Sequence, residues 1–467
     1  MDQPSPQSLN DKLNSSVLAS CIAGSLVLWA SFGVRQSIGV FLIPVTQTTG
    51  WDRATFSIAA ALLQLMWGFG QPFIVFLAEK KFGFGKVIFA STILYAVSCF
   101  ILYGSSSSSG LFIFACALQG IGCAGNSFPI VLASISKRIA PNNKYKSTIF
   151  GVVSSFGSFG QCCFLPIGRQ MIATIGWTWT FLVFGIMMAV CSITAVFLQT
   201  VPQKQNEVVA PSYDVEKNDG IEKKKVDVVE DDNNIDIQKP ITKNKTRLHP
   251  DDMTAMQTLK YAFTSPTFIF ITLGFSTCGF HIAFMATHLP SYLQGHGVDA
   301  SLAAWTISII GLGSMFGTIS TGILCTKFKP KYVLAGIYAS RAIIMCIFFW
   351  VPFSLVTVFI FSVIIGFLWL STVPPTTRFV GDVFGYKYLG TLTSITFVGH
   401  QIGAFLGAYM SGVVYDNVKS YDRIWIASIS LGIFSAVANL LASDRIPDYS
   451  CKEDIDKIEQ VTKSTEK

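Results

Sequence analysis

Arg35, Arg341 and His400 are ionisable side chains set inside stretches that are otherwise apolar. Arg35 falls about 18 residues into the stretch 17–45, roughly 27 Å along a helix, and Arg341 about 9 residues into 332–350, roughly 14 Å. A guanidinium stays protonated, and it can grip a carboxylate through two parallel hydrogen bonds. Leaving one unpaired at such depth in hydrocarbon costs about 2.5 kcal/mol or more. The acids of the apolar part (Asp52, Glu79, Asp299, Asp382, Asp416 and Asp422) all fall in turns or at segment ends. The chemistry expected of both arginines is therefore capture of a visiting anion. The plainer alternative is a set of hydrogen bonds to carbonyls or hydroxyls of adjacent helices. His400 lies about 12 residues into 388–415 by the same arithmetic. Histidine titrates near pH 6.5, so His400 is the candidate for carrying a proton or hydrogen-bonding a ligand.

Neutral polar groups form a second layer. Asn126, Gln161 and Gln401 can each bond a carboxylate or hydroxyl, or can join helices to one another. His281 and His288 lie seven apart on one helix face, with His281 the deeper and the better placed for a ligand. That spacing is not a metal-binding one, and no metal or cofactor is expected. No Ser-His-Asp set or paired carboxylates share a common depth, so enzyme chemistry is not expected either.

The elements that must position these side chains follow from composition. Of 467 residues, 51% are hydrophobic and 13% charged, and mean hydropathy is +0.52. Outside three polar stretches (1–16, 201–262 and 444–467) only 24 charges remain in 365 residues. A soluble surface of that size cannot be covered so sparsely, which leaves a polytopic membrane protein. Twelve segments are long enough to cross the hydrocarbon: 17–45, 53–78, 86–104, 111–136, 147–174, 178–200, 264–293, 301–326, 332–350, 353–378, 388–415 and 423–442. In lipid each must satisfy its backbone internally, so all are expected to be helices. The net charge of +7 reflects no nucleic-acid module. Its Lys and Arg gather at segment ends, twelve in the short loops of one side and three on the other. The positive-inside rule then puts both termini in the cytoplasm.

The chain divides into a cytoplasmic N-terminus 1–16, a six-helix bundle 17–200, a charged linker 201–263, a second bundle 264–442 and a tail 443–467. The linker reads as solvated, with a surface helix near its end. Ten of the 11 cysteines sit in apolar segments and act as small fillers. Gly399, Gly403 and Gly407 on span 11, and Gly313 and Gly317 on span 8, allow close helix contact. Pro374 and Pro375 should bend span 10. Two six-span halves around a midplane site are the mark of a secondary transporter.

The turn Ala78-Glu79-Lys80-Lys81-Phe82-Gly83 resembles the signature between spans 2 and 3 of the major facilitator superfamily, with Glu79, Lys80 and Gly83 at its gating positions. Phe32–Phe41, Gly50–Ser57, Thr372–Thr376 and His400–Phe405 narrow the likeness. They resemble the branch grouped with proton-linked monocarboxylate transporters and oxalate–formate antiporters. Span 8 has no charged residue before Lys327, where the animal-type carriers have an Asp and Arg pair.

The resemblance implies an all-α membrane protein of two six-helix bundles. The expected function is alternating-access transport of a small organic anion, a monocarboxylate, with proton symport. Arg35, Asn126, His400, Arg341, His281, Gln161 and Gln401 are the candidate cargo-binding residues, with His400 also carrying the proton. Partners are the anion, protons and the lipid bilayer, without nucleic acid. The plasma membrane is the default location and a monomer suffices. Competing readings are an exporter of apolar compounds, suggested by the 39 Phe, and a non-transporting sensor built on the linker.

Overall fold

The computed structural model describes residues 6–51, 53–140, 143–199 and 250–444. The expectations for linker residues up to 249 and for the tail from 445 lie outside the described residues. Helices α1 (Pro6–Ser37) and α2 (Leu42–Thr49) form the first crossing, followed by α3 (Arg53–Leu77) and α4 (Phe84–Tyr103). Next come α5 (Ser109–Ala124), α6 (Phe128–Ser136) and α7 (Lys146–Cys191). After the linker, α8 (Ala255–Thr264) precedes α9 (Pro266–Gly295), α10 (Ala300–Lys327) and α11 (Pro330–Trp350). The chain closes with α12 (Leu355–Leu368), α13 (Val373–Phe384), α14 (Leu389–Val418) and α15 (Asp422–Leu441).

Among the described residues, eleven helical segments are long and apolar enough to cross a membrane. The fifth, Lys146–Leu198, has 53 residues, about 80 Å if straight and far more than a bilayer needs. It folds back at Gly176, where φ 82° and ψ 164° are non-helical. Arg138, just before this segment, donates to the carbonyl of Gln199, just after it, at 2.6 Å. Both ends thus lie on one face, and the chain makes twelve crossings.

Two details are absent from the span pattern, and the expected surface helix is present. Span 4 is divided, with Gly125, Asn126 and Ser127 between α5 and α6. Span 10 is interrupted rather than merely bent: Trp369–Thr372 separate α12 from α13, and Pro374 and Pro375 occupy the first turn of α13. Proline is tolerated there because those N–H groups have no helical partner. The surface helix before span 7 is α8, begun by a capping box in which Thr254 and Gln257 bond each other's backbone.

Within the first bundle α1 packs on α7, and α5 on α3 and α4. Within the second, α9 packs on α14 and α15, α10 on α12, and α11 on α15. The bundles meet along two seams, α7 with α10 and α3 with α14. Glycine makes the α9–α14 approach close: a Cβ at Gly403 would strike the Ser276 carbonyl, and one at Gly407 the Phe280 carbonyl. The α7–α10 seam uses the same device, since a Cβ at Gly151 would lie 2.6 Å from the Thr318 carbonyl and 3.1 Å from Gly322 Cα.

Candidate functional site

Arg35 is half-buried on α1 and turns toward α3. Its Nη1 donates to Gln64 Oε1 at 3.0 Å. The guanidinium carbon stands 4.4 Å from the centroid of the Trp67 ring and 5.3 Å from that of Phe32. Stacking on aromatic faces suits the planar, weakly hydrated guanidinium. Its buried Nε has no hydrogen-bond partner. Among the described residues, no carboxylate pairs with Arg35 or Arg341.

A path of rings runs from Arg35 to His400 across the seam. Phe32 lies 4.4 Å from Phe128, Phe128 lies 6.2 Å from Phe397, and Phe397 lies 5.8 Å from the His400 ring. Phe275 completes the far end, 5.0 Å from His400. His400 is 7% exposed, and its Nδ1 is buried without a partner. Sequence reading picked both ends of this path but none of the phenylalanines between them. A Phe in an apolar segment carries no local sign of whether it faces lipid or another ring.

A narrow cleft of about 20 Å³ lies between the bundles, bordered by Gln36, Gln161 and Leu165 on one side and Ser308, Gly311 and Trp369 on the other. That is far below the roughly 300 Å³ or more of a small-molecule site, so the cleft is nearly shut in this state. Gln161 borders this cleft. Gln401 packs against Gly68 of α3, with a buried Nε2 left unpartnered. Gln36 and Trp369 were missed by sequence reading. Gln36 adjoins Arg35, and Trp369 adjoins the proline-marked bend.

The other candidates sit in packed surroundings. Asn126 is fully buried; its Nδ2 donates to the Gly122 carbonyl at 2.9 Å, and its Oδ1 accepts from Thr92 at 2.7 Å. Both ends of the amide are satisfied by protein, and the residue closes the break between α5 and α6. His281 is 1% exposed, and its Nε2 meets the Ser428 carbonyl at 2.8 Å. His288 is held between Tyr421 Oη and the Ala408 carbonyl. Arg341 is 1% exposed and reaches backbone: its Nε donates to the Leu368 carbonyl at 3.1 Å, and its Nη2 bonds the carbonyls of Leu368 and Trp369. That is the plainer of the two roles open to a deep arginine.

The face that carries Glu79 is tied across the bundles. Glu79 is buried, and its carboxylate accepts from the N–H of Gly390 at 2.7 Å and from Thr391. This places a negative charge on the N-terminus of α14, where it is favoured by the helix dipole. Gly83, with φ 82°, ends that turn, while the exposed Lys80 lies 5.4 Å from the Phe76 ring. Lys137 donates to the Lys387 carbonyl at 2.7 Å. Lys387 in turn donates to the carbonyl of Met253, ahead of α8. Asp251 accepts from the N–H groups of Tyr386 and Lys387 at 2.7 and 2.9 Å. Burial, with Asp382 close by, raises the Tyr386 phenol above its ordinary pKa. At the end of span 12, Asp444 bridges Lys329 and Lys331, and the Lys329 hydrogen bond holds its carboxyl down at about 2.

The sequence profile of the Major Facilitator Superfamily matches residues 24–408, and the chain belongs to that family. An uncharacterised MFS-type transporter of Bacillus subtilis, YcxA, is 21% identical over 417 residues, covering 87% of this chain and 90% of that one. The benzoate transport protein of Acinetobacter baylyi is 22% identical over 85% of this chain and 87% of its own length. Mouse monocarboxylate transporter 6 is 24% identical over 68% and 63%. Among solved structures, the proton:xylose symporter XylE aligns over 94% of this chain and 97% of its own, with TM-score 0.65 and 12% identity. That likeness speaks for the fold. The protein is an integral membrane transporter of two six-helix bundles.

Proposed function

We propose that the chain carries a small organic anion, a monocarboxylate, by alternating access with proton symport. The observation that supports this best is Arg35: a half-buried cation on span 1 with an unpartnered Nε and no protein carboxylate among the described residues. An incoming carboxylate would complete it. Gln64 and Trp67 fix the orientation of the planar guanidinium, as two parallel hydrogen bonds to a carboxylate require. Gln161 and Gln36 offer amide groups along the cleft, and Trp369 offers an apolar wall. His400, at the other end of the ring path, is the proposed proton carrier. The relatives named for benzoate and monocarboxylate transport are consistent with this cargo class.

In this reading the Glu79 face is cytoplasmic, both termini lie inside, and the tied state is closed toward the cytoplasm. The plasma membrane is the proposed location. The test is a thermal-shift screen of the purified protein against acetate, lactate, pyruvate and benzoate, followed by vesicle uptake of any acid that stabilises it. Arg35→Gln should abolish both responses while surface expression persists. Unchanged uptake in that variant would remove Arg35 from the site.

A further inference from the structure

Span 10 is broken where lipid-embedded backbone can least tolerate it. The last carbonyls of α12 have no helical acceptor role left, and the hydrocarbon offers no water to replace one. Three side chains from three other elements meet this turn. Arg341 of α11 takes the carbonyls of Leu368 and Trp369. Ser314 of α10 accepts from the Leu370 N–H at 3.3 Å. Cys278 of α9 lies 3.3 Å from Thr372 Oγ1 and 3.9 Å from the Trp369 carbonyl. The guanidinium carbon also stands 5.6 Å from the centroid of the buried Tyr338 ring. A cation at the C-terminal end of a helix faces the negative end of its dipole, so this site stabilises Arg341 without any acid.

The turn so held is not remote from the cargo path. Trp369, whose carbonyl Arg341 grips, lines the inter-bundle cleft together with Gln161. Ser314 continues to Ser158 of α7, hydroxyl to hydroxyl at 3.0 Å, across the seam. The geometry points to Arg341 as a positioning residue: it fixes the unwound turn Trp369–Thr372 so that the Trp369 indole forms one wall of the cleft. Arg341 then acts on cargo through Trp369 and never touches it. This assignment is independent of which anion is carried.

The test is ¹⁹F NMR of the full-length protein in which all nine Trp are replaced by 5-fluorotryptophan, with the Trp369 line assigned by its loss in Trp369→Phe. Trp425, fully buried in the same bundle against Phe284, Phe348 and Phe361, is the internal control. Arg341→Gln should displace the Trp369 line by more than its width and leave Trp425 in place. Arg341→Lys, which keeps one donor group for the carbonyls, should move it part of the way. If the Gln variant does not fold, the Lys variant alone decides: a selective shift supports the assignment. An unmoved Trp369 line, or Trp369 and Trp425 moving together, overturns it.

Discussion

Glu79 and Thr391 are bound to each other across the two bundles: the carboxylate Oε2 accepts from the Thr391 N–H at 3.1 Å and from its hydroxyl at 2.5 Å. With Gly390 N–H on the other oxygen, one side chain satisfies two of the orphan donors that begin α14. Glu79→Gln would turn an amide NH₂ toward those donors. Hydrogen exchange at Gly390 and Thr391 should then quicken about tenfold, as the tied state opens more often. Equal protection in the variant would show that Lys137 and the glycine seam hold this face without Glu79.

His400 makes a prediction about coupling. Its ring is walled by Phe275 and Phe397, and Nδ1 lacks a partner. In vesicles, His400→Gln should abolish cargo-driven proton uptake while cargo-for-cargo exchange continues. Proton uptake that still tracks cargo in the variant would transfer the role to the cargo's own carboxyl.

Gly403 tests the packing. Its missing Cβ is where the Ser276 carbonyl passes, so Gly403→Leu should cost about 1–3 kcal/mol through forced separation of α9 and α14. The control is Gly412→Ala, whose Cβ would meet only His288 Cε1 at 3.9 Å and should leave the thermal midpoint alone. Equal midpoints for the wild type and both variants would contradict the close approach.

Asp444 predicts an acid dependence. Its carboxyl is held down at about 2 by the Lys329 hydrogen bond, from an ordinary value of 3.8. A depressed carboxylate stabilises fully above the unfolded value and loses that contribution as pH falls through the folded one. The contribution should therefore fade between about pH 4 and pH 2. Lys329 is 65% exposed, so screening limits the effect to under about 1 kcal/mol. Asp444→Asn should lower the thermal midpoint slightly at neutral pH and flatten its decline in that acid window. An unchanged acid limb would show that the bridge adds nothing.

Much of the architecture was legible because lipid imposes a simple rule. A segment that buries every backbone bond must be long, apolar and helical, so twelve crossings could be counted from the chain. Glu79 stood out only through the resemblance of the Ala78–Gly83 turn; its partners Gly390 and Thr391 lie more than 300 positions away and leave no mark beside it. Arg341 was no more readable. Its partners are the carbonyls of Leu368 and Trp369, and nothing near residue 341 says that a helix 27 positions away comes undone there. Pro374 and Pro375 announced a bend, but not the direction in which the freed carbonyls would point. Asn126 was misleading in the same way, since a polar amide deep in a span looks alike whether it meets a cargo or closes a break in its own helix.

Ser158 with Ser314, and Gly151 with Gly322, give the seam between α7 and α10 almost nothing that grips. Hydroxyls can swap partners within a fraction of an ångström, and bare backbone can roll on bare backbone. Under the proposed alternating access, a fulcrum made of such small parts would let one half of the molecule tilt against the other without tearing a charged pair out of a greasy interior. The charged ties between the halves gather instead at the one end that carries Glu79, Lys137 and Lys387.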